Sequence, residues 1–175
     1  MAESNKLNGF TIVELLILIV VLGILATITM TAYNGIQKRA LNTGRLVEFQ
    51  AWQKNFELYK TFNGSYPSMP NGNYCLGNNF PNGTCGNWGQ TGSYSYPQAN
   101  STPLLTQLAT VASHPASQRT PANTRIGPYV TYDNSARTIT FTTFFSDKPG
   151  TCPPKTSQVW FGDGDTIMCS ITYPF

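Results

Sequence analysis

Apolar residues dominate the first third of the chain in two different ways. Between Glu14 and Lys38 there are 23 residues without a charge, and the centre, Leu15 to Ala26, reads LLILIVVLGILA. No polar face interrupts this run. As a helix it rises ~35 Å, slightly more than the ~30 Å hydrocarbon core of a bilayer. Beyond it, Ile36, Ala40, Val47, Ala51, Leu58 and Phe62 recur at helical spacing. Phe49, Trp52, Phe56 and Tyr59 widen that stripe to one side, and Lys38, Arg39, Arg45, Glu48 and Lys54 fall mostly off it. Asn63-Gly64 supplies a left-handed stop, with Pro67 beyond. The pattern predicts one helix from about Thr11 to Thr61, apolar all round in its first half and amphipathic in its second.

The remainder changes period. Asn71 to Gln98 holds six Gly, six Asn and five aromatics, which is loop composition. Ser101-Thr102-Pro103 opens a short helix through Leu104, Leu105, Leu108 and Val111. Tyr129–Asp133 and Arg137–Phe145 alternate as strands around a turn at Asp133 to Ala136. Gln158–Phe161 and Thr166–Tyr173 form a second hairpin across Gly162-Asp163-Gly164-Asp165. The expected fold is α+β: a long N-terminal helix whose amphipathic half packs on a four-stranded antiparallel sheet.

The apolar half needs lipid or copies of itself. It does not read as a discarded signal peptide, because Thr29-Met30-Thr31 is a poor cleavage site and the helical pattern continues unbroken. Composition agrees. Charged residues make up only 11% of the chain, and Thr61 to Gln118 contains none. The net charge of +3 is too slight to imply a nucleic-acid partner. Four cysteines allow three pairings, of which the neighbour arrangement, Cys75–Cys85 and Cys152–Cys169, is expected. Two bridges imply an oxidising compartment. The spacings do not suggest zinc, since neither pair is C-x-x-C and His114 is the one histidine.

The segment Gly9-Phe10-Thr11-Ile12-Val13-Glu14-Leu15-Leu16 resembles the processing motif of type IV prepilins and their relatives. A short polar leader precedes the glycine, an aromatic follows it, and a glutamate stands fifth from the cut. The resemblance implies cleavage by a prepilin peptidase between Gly9 and Phe10, with N-methylation of Phe10. Residues 1–9 would be the leader, 10–34 the membrane and filament-core helix, and 35–175 the head with the second half of the helix. It also implies the pilin-like fold. Polymerisation into a helical homo-oligomeric filament would draw on an assembly platform and an ATPase supplied by other chains. Glu14 would neutralise the new amine of a neighbouring subunit and set axial register. Two features depart from the family pattern. Thr31 stands where many members have a helix-bending proline, and the leader holds a single lysine, Lys6, offset by Glu3. The positive-inside bias is overridden here, since long following domains translocate largely regardless of charge.

Enzymatic chemistry has little to stand on. His114 precedes Pro115 in a Ser/Pro/Ala loop and reads as solvated, and no nucleophile elbow or phosphate loop is present. Asp163 and Asp165 are turn residues first and a weak Ca²⁺ pair second. No cofactor is expected. The sequence reading is a structural subunit: a type IV pilus protein inserted in the cytoplasmic membrane and then displayed at the cell surface for adhesion, motility or DNA uptake. A pseudopilin of a type II secretion or competence system is one alternative. A membrane-anchored binding module is the other.

Overall fold

The computed structural model describes residues 10–77, 80, 85, 87–88, 94–95, 101–116, 127–146, 152–160 and 166–175. Helix α1 spans Ile12–Asn63, unbroken through the threonine-rich stretch. There the Thr27 hydroxyl donates to Gly23 O, and the Thr29 hydroxyl to Leu25 O and Ala26 O, so these side chains bond back onto their own helix. Gly64, with φ of 78°, ends α1 and donates its N–H to Lys60 O at 2.8 Å. The chain divides into two units within this helix, residues 1–39 and 40–175.

The second unit holds the sheet and a short helix. Strands β1 (Gly72–Cys75), β4 (Tyr129–Asp133), β5 (Thr138–Ser146), β6 (Ser157–Trp160) and β7 (Thr166–Pro174) form one antiparallel sheet in the order β1-β4-β5-β7-β6. Strands β2 (Asn87–Trp88) and β3 (Tyr94–Ser95) pair as a separate ribbon, and α2 covers Thr102–Ala109. The sheet has five strands where four were expected. The added strand, β1, reads GNYC and lies inside the Gly/Asn-rich stretch, where alternation is too short to register. It exists because β4 offers an open edge, with Tyr74 opposite Val130 and Cys75 opposite Tyr129.

The β4–β5 turn is set by side chains. The Asp133 carboxylate accepts the N–H groups of Ser135 and Ala136 at 3.0 and 2.9 Å. Asn71 Oδ1 accepts Asn134 N–H at 2.7 Å, which ties the segment before β1 to the same turn.

One core joins α1, α2 and the sheet. Trp52, Phe49 and Phe56 of α1 lie against Val130, Tyr132, Ile139 and Phe141, and Leu104, Leu105 and Leu108 of α2 close the side. Phe56 meets Phe141 edge to face at 4.6 Å. The buried face of α1 differs from the expected one. Val47 and Phe62 are 60% and 72% exposed, whereas Arg45 and Glu48 are buried with Phe49, Trp52, Asn55 and Phe56. The helix turns its bulkiest side chains inward, because an aromatic ring removes more apolar area from water than a valine or alanine. That rotation takes a charge pair in with the rings.

Arg45 is held by hydrogen bonds at the end of β5. Asn42 Nδ2 donates to Ser146 O while Ser146 N–H donates to Asn42 Oδ1 at 3.0 Å. Arg45 Nη1 donates to Asn42 Oδ1 at 3.3 Å and to Ser146 Oγ at 3.0 Å. This two-way clamp fixes where α1 lies along β5. Burial pushes the Arg45 guanidinium below its ordinary value, and the Glu48 carboxylate pulls it back up.

His114 also differs from expectation. It is half-buried, its Nε2 donates to Leu105 O at 3.0 Å, and its ring lies 5.4 Å from that of Trp52. With Asn55 Nδ2 bonded to Ser113 O at 3.1 Å, the segment after α2 is stitched to α1. A histidine that packs on a core tryptophan is a structural group here.

Phe56→Ala is expected to destabilise the head by about 3–5 kcal/mol, the usual cost of emptying a buried aromatic site, read as a fall in the urea midpoint. Alkali should act through the tyrosines. Burial raises the phenol pKa of Tyr66, Tyr74, Tyr132 and Tyr173, with the Glu57 carboxylate adding to the shift at Tyr66. The unfolded chain therefore loses these protons first, so stability is level below pH ~10 and falls as pH rises beyond it. Urea titrations at pH 8 and 10.5 would test this; equal midpoints would contradict it.

Candidate functional site: the assembly helix, its cap and the bridges

The first turn of α1 is closed by a reciprocal pair of side chains. Glu14 N–H donates to Thr11 Oγ1 at 3.3 Å. Glu14 Oε2 in turn accepts Thr11 N–H at 2.9 Å and the Thr11 hydroxyl at 2.8 Å. This is a capping box, with threonine at the cap and glutamate three residues on. It satisfies backbone donors that a helix start leaves open. The Thr11-x-x-Glu14 spacing announces it in the sequence, where Glu14 was read only for its charge.

From this cap onward the helix is bare. Every large apolar side chain from Ile12 to Ile36 is between 47% and 79% exposed. Such a surface on all sides of a helix belongs in lipid or against other helices. It is long and apolar enough to cross a membrane. Phe10, ahead of the cap, is 78% exposed. Gly9 lies outside the described residues.

The cysteines are all bridged. Cys75 joins Cys85 with Cα atoms 5.6 Å apart, and Cys152 joins Cys169 at 5.5 Å. They serve different places. Cys75 and Cys85 pack with Tyr129 and Phe144, on the sheet face away from Phe141 and Phe145. Gly127 N–H donates to Cys85 O at 2.6 Å. A side chain at Gly127, at φ of 51°, would be strained, and its Cβ would press on the Phe144 ring at 3.1 Å. Cys169 packs with Phe145, Ile167 and Leu46 of α1, so the second bridge anchors residues before β6 to β7 beside the Asn42 clamp. A cavity of about 290 Å³ lies there, lined by Asn42, Leu46, Phe145, Cys152 and Pro153 among others.

Asp163 and Asp165 lie outside the described residues. Among the described residues, no group of three His, Cys, Asp or Glu side chains converges as a metal site would require.

A long helix with a bare apolar half, packed by its other half on an antiparallel sheet, is a pilin-like architecture. The chain is similar to proteins named type II secretion system core protein G. It is 29% identical to that of Aeromonas hydrophila over 70 residues, 40% of this chain and 49% of the relative. It is 29% identical to that of Vibrio cholerae over 72 residues, covering 41% and 49%, and 28% identical to that of Escherichia coli over 72 residues, covering 41% and 50%. The chain thus spans about half the length of the curated relatives it matches. No family model and no solved structure matches it.

Thr11→Val removes the hydroxyl half of the cap. The expected loss is about 0.5–2 kcal/mol at the helix start, seen as faster amide exchange at Glu14 and Leu15 with exchange in β5 unchanged. Glu14→Gln should preserve the cap, since glutamine also serves at that position; loss of protection in this variant would refute the reading.

Proposed function

We propose that this chain is a pseudopilin-type subunit, which polymerises through the bare half of α1 into a filament of a type II secretion system. The carrying observation is the run from Ile12 to Ile36, exposed on every side within the protein. The relatives' name supports the secretion-system form over the surface pilus first read from the sequence. The precursor sits in the membrane by α1 and is cut after Gly9 by a prepilin peptidase. Phe10 is methylated, and a platform and ATPase move the subunit into the filament. Its role is structural, with no reaction of its own.

One observation favours a surface pilus as the second reading. Residues 61–118 carry no charge, and two disulfides hold the head. Neutral loops tied by covalent bridges suit a part exposed outside the cell.

Intact mass and N-terminal sequencing of the protein from fractionated cells test both. A chain beginning at N-methylated Phe10, short of the four hydrogens lost in two disulfides, supports processing and assembly. Its recovery with the cell envelope supports the pseudopilin, and its recovery from sheared surface filaments supports the pilus. An unprocessed chain confined to membranes refutes both and leaves an anchored binding module. Within this reading the charge of Glu14 registers subunits. Glu14→Gln, which preserves the cap, is therefore expected to be processed normally yet assemble poorly. Assembly at the wild-type level would remove the charge from the mechanism.

A further inference from the structure

Phe62 stands on the last turn of α1 and is 72% exposed. Among the described residues from 40 onward, the large apolar side chains at the surface are Val47, Phe62 and Phe175, and Phe62 is the most exposed of them. The segment it opens, residues 61–118, carries no charge that burial of the ring would have to desolvate. A single apolar side chain at a surface is ordinary. It gains meaning where the same molecule offers a pocket that fits it, because the two then join copies of the chain.

The cavity of about 290 Å³ beside the Asn42 clamp is such a pocket. Phe145 and Ile167, both buried, line it with Leu46 of α1 and the Pro153-Pro154 pair. Thr43 and Pro154 stand exposed at its rim, and among the described residues no charge lines it. It lies at the lower bound of small-molecule sites, which begin near ~300 Å³, so a single inserted side chain suits it. The Cys152–Cys169 bridge and the two-way bonding of Asn42 with Ser146 hold its walls, so a ring enters a preformed site.

Ring and pocket cannot meet within one chain, because both belong to the same stretch of α1. From Leu46 to Phe62 the helix rises ~24 Å and turns so that the two side chains point about 160° apart. They face opposite sides at different heights.

We propose that Phe62 of one copy docks into this pocket of the next. The proposal rests on the filament reading above, in which copies share a membrane and run parallel. Two parallel copies at one level set Phe62 beside Phe62. Docking therefore staggers neighbours by ~24 Å along the helix and joins them head to tail. Each docked pair leaves one ring and one pocket open at its ends. The contact then repeats without closing, which is what an open filament needs and a closed dimer lacks.

All four native cysteines are bridged, so a maleimide reaches only introduced thiols. The full chain carrying Phe62→Cys with Pro154→Cys, treated in intact cells with a short bismaleimide, is expected to give a ladder of dimers, trimers and larger species. Phe62→Cys with Ser135→Cys, an exposed position on the β4–β5 turn away from the pocket, should give none. Phe62→Ala should leave the melting temperature of the head unchanged, since the ring is exposed, while assembly weakens about tenfold. Phe62→Leu should restore part of it. Filaments of the double variant without a ladder, or unchanged assembly in Phe62→Ala, overturn the docking and leave the filament reading standing. A product that stops at dimers, or dimers of Phe62→Cys alone, shows a two-fold contact and overturns it as well. A wild-type chain that forms no filaments refutes both.

Discussion

The head depends on the burial of one aromatic ridge. Phe49, Trp52 and Phe56 stand on one face of α1 and meet the rings and branched side chains of β4 and β5. An isolated helix is marginal in water, so α1 over this stretch is held by what it packs on rather than by propensity. The sheet is equally dependent, because its face toward α1 would otherwise be open. α2 and the histidine after it then close the side around Trp52. Removing the ridge removes the reason for each neighbouring element to be where it is.

Packing of rings alone leaves a helix free to slide or turn on a sheet. Here polar groups settle its position. Asn42 bonds both the N–H and the carbonyl of Ser146, and Arg45 reaches the Asn42 and Ser146 side chains from the next turn. Burying a guanidinium costs more than its attraction to one carboxylate returns unless further hydrogen bonds are made. Two such bonds, from Arg45 Nη1 to Asn42 Oδ1 and Ser146 Oγ, are present at the end of β5, next to the bridge from Cys152 to Cys169. The clamp and the bridge therefore act on one place: where α1 enters the head and where the chain leaves the central strand.

Much of this was legible in the sequence, and the misses share a physical cause. The end of α1 at Asn63-Gly64 and strands β4, β5 and β7 follow from local signals: a left-handed glycine, a turn-forming Asp-Asn and runs of β-branched and aromatic residues. Strand β1 was missed because its pairing is a property of the β4 edge rather than of Gly72–Cys75. The buried face of α1 was misjudged because counting apolar positions weights Ala51 as much as Trp52 and places Arg45 outside. Burial follows area and available partners, and one partner of Arg45, Ser146, lies some hundred residues away in the chain. His114 was read from its loop neighbours, whereas Trp52 and Leu105 determine its place.

In the proposed filament Glu14 would carry a second role beside its cap. Within the chain its carboxylate is engaged by the backbone and the hydroxyl of Thr11. In the proposed filament the same carboxylate faces the amine of a neighbouring Phe10. An ion pair in water adds only about 0–1 kcal/mol and would not displace a good cap. Between packed helices, where the effective dielectric is low, the same attraction is several times larger. An unmatched amine there is also costly. The carboxylate can remain bonded to Thr11 while one of its oxygens accepts from the amine, since an ionised carboxylate offers about four acceptor positions. The cap holds Glu14 in one orientation within the chain, and in the proposed filament exclusion of water would make its charge selective for register.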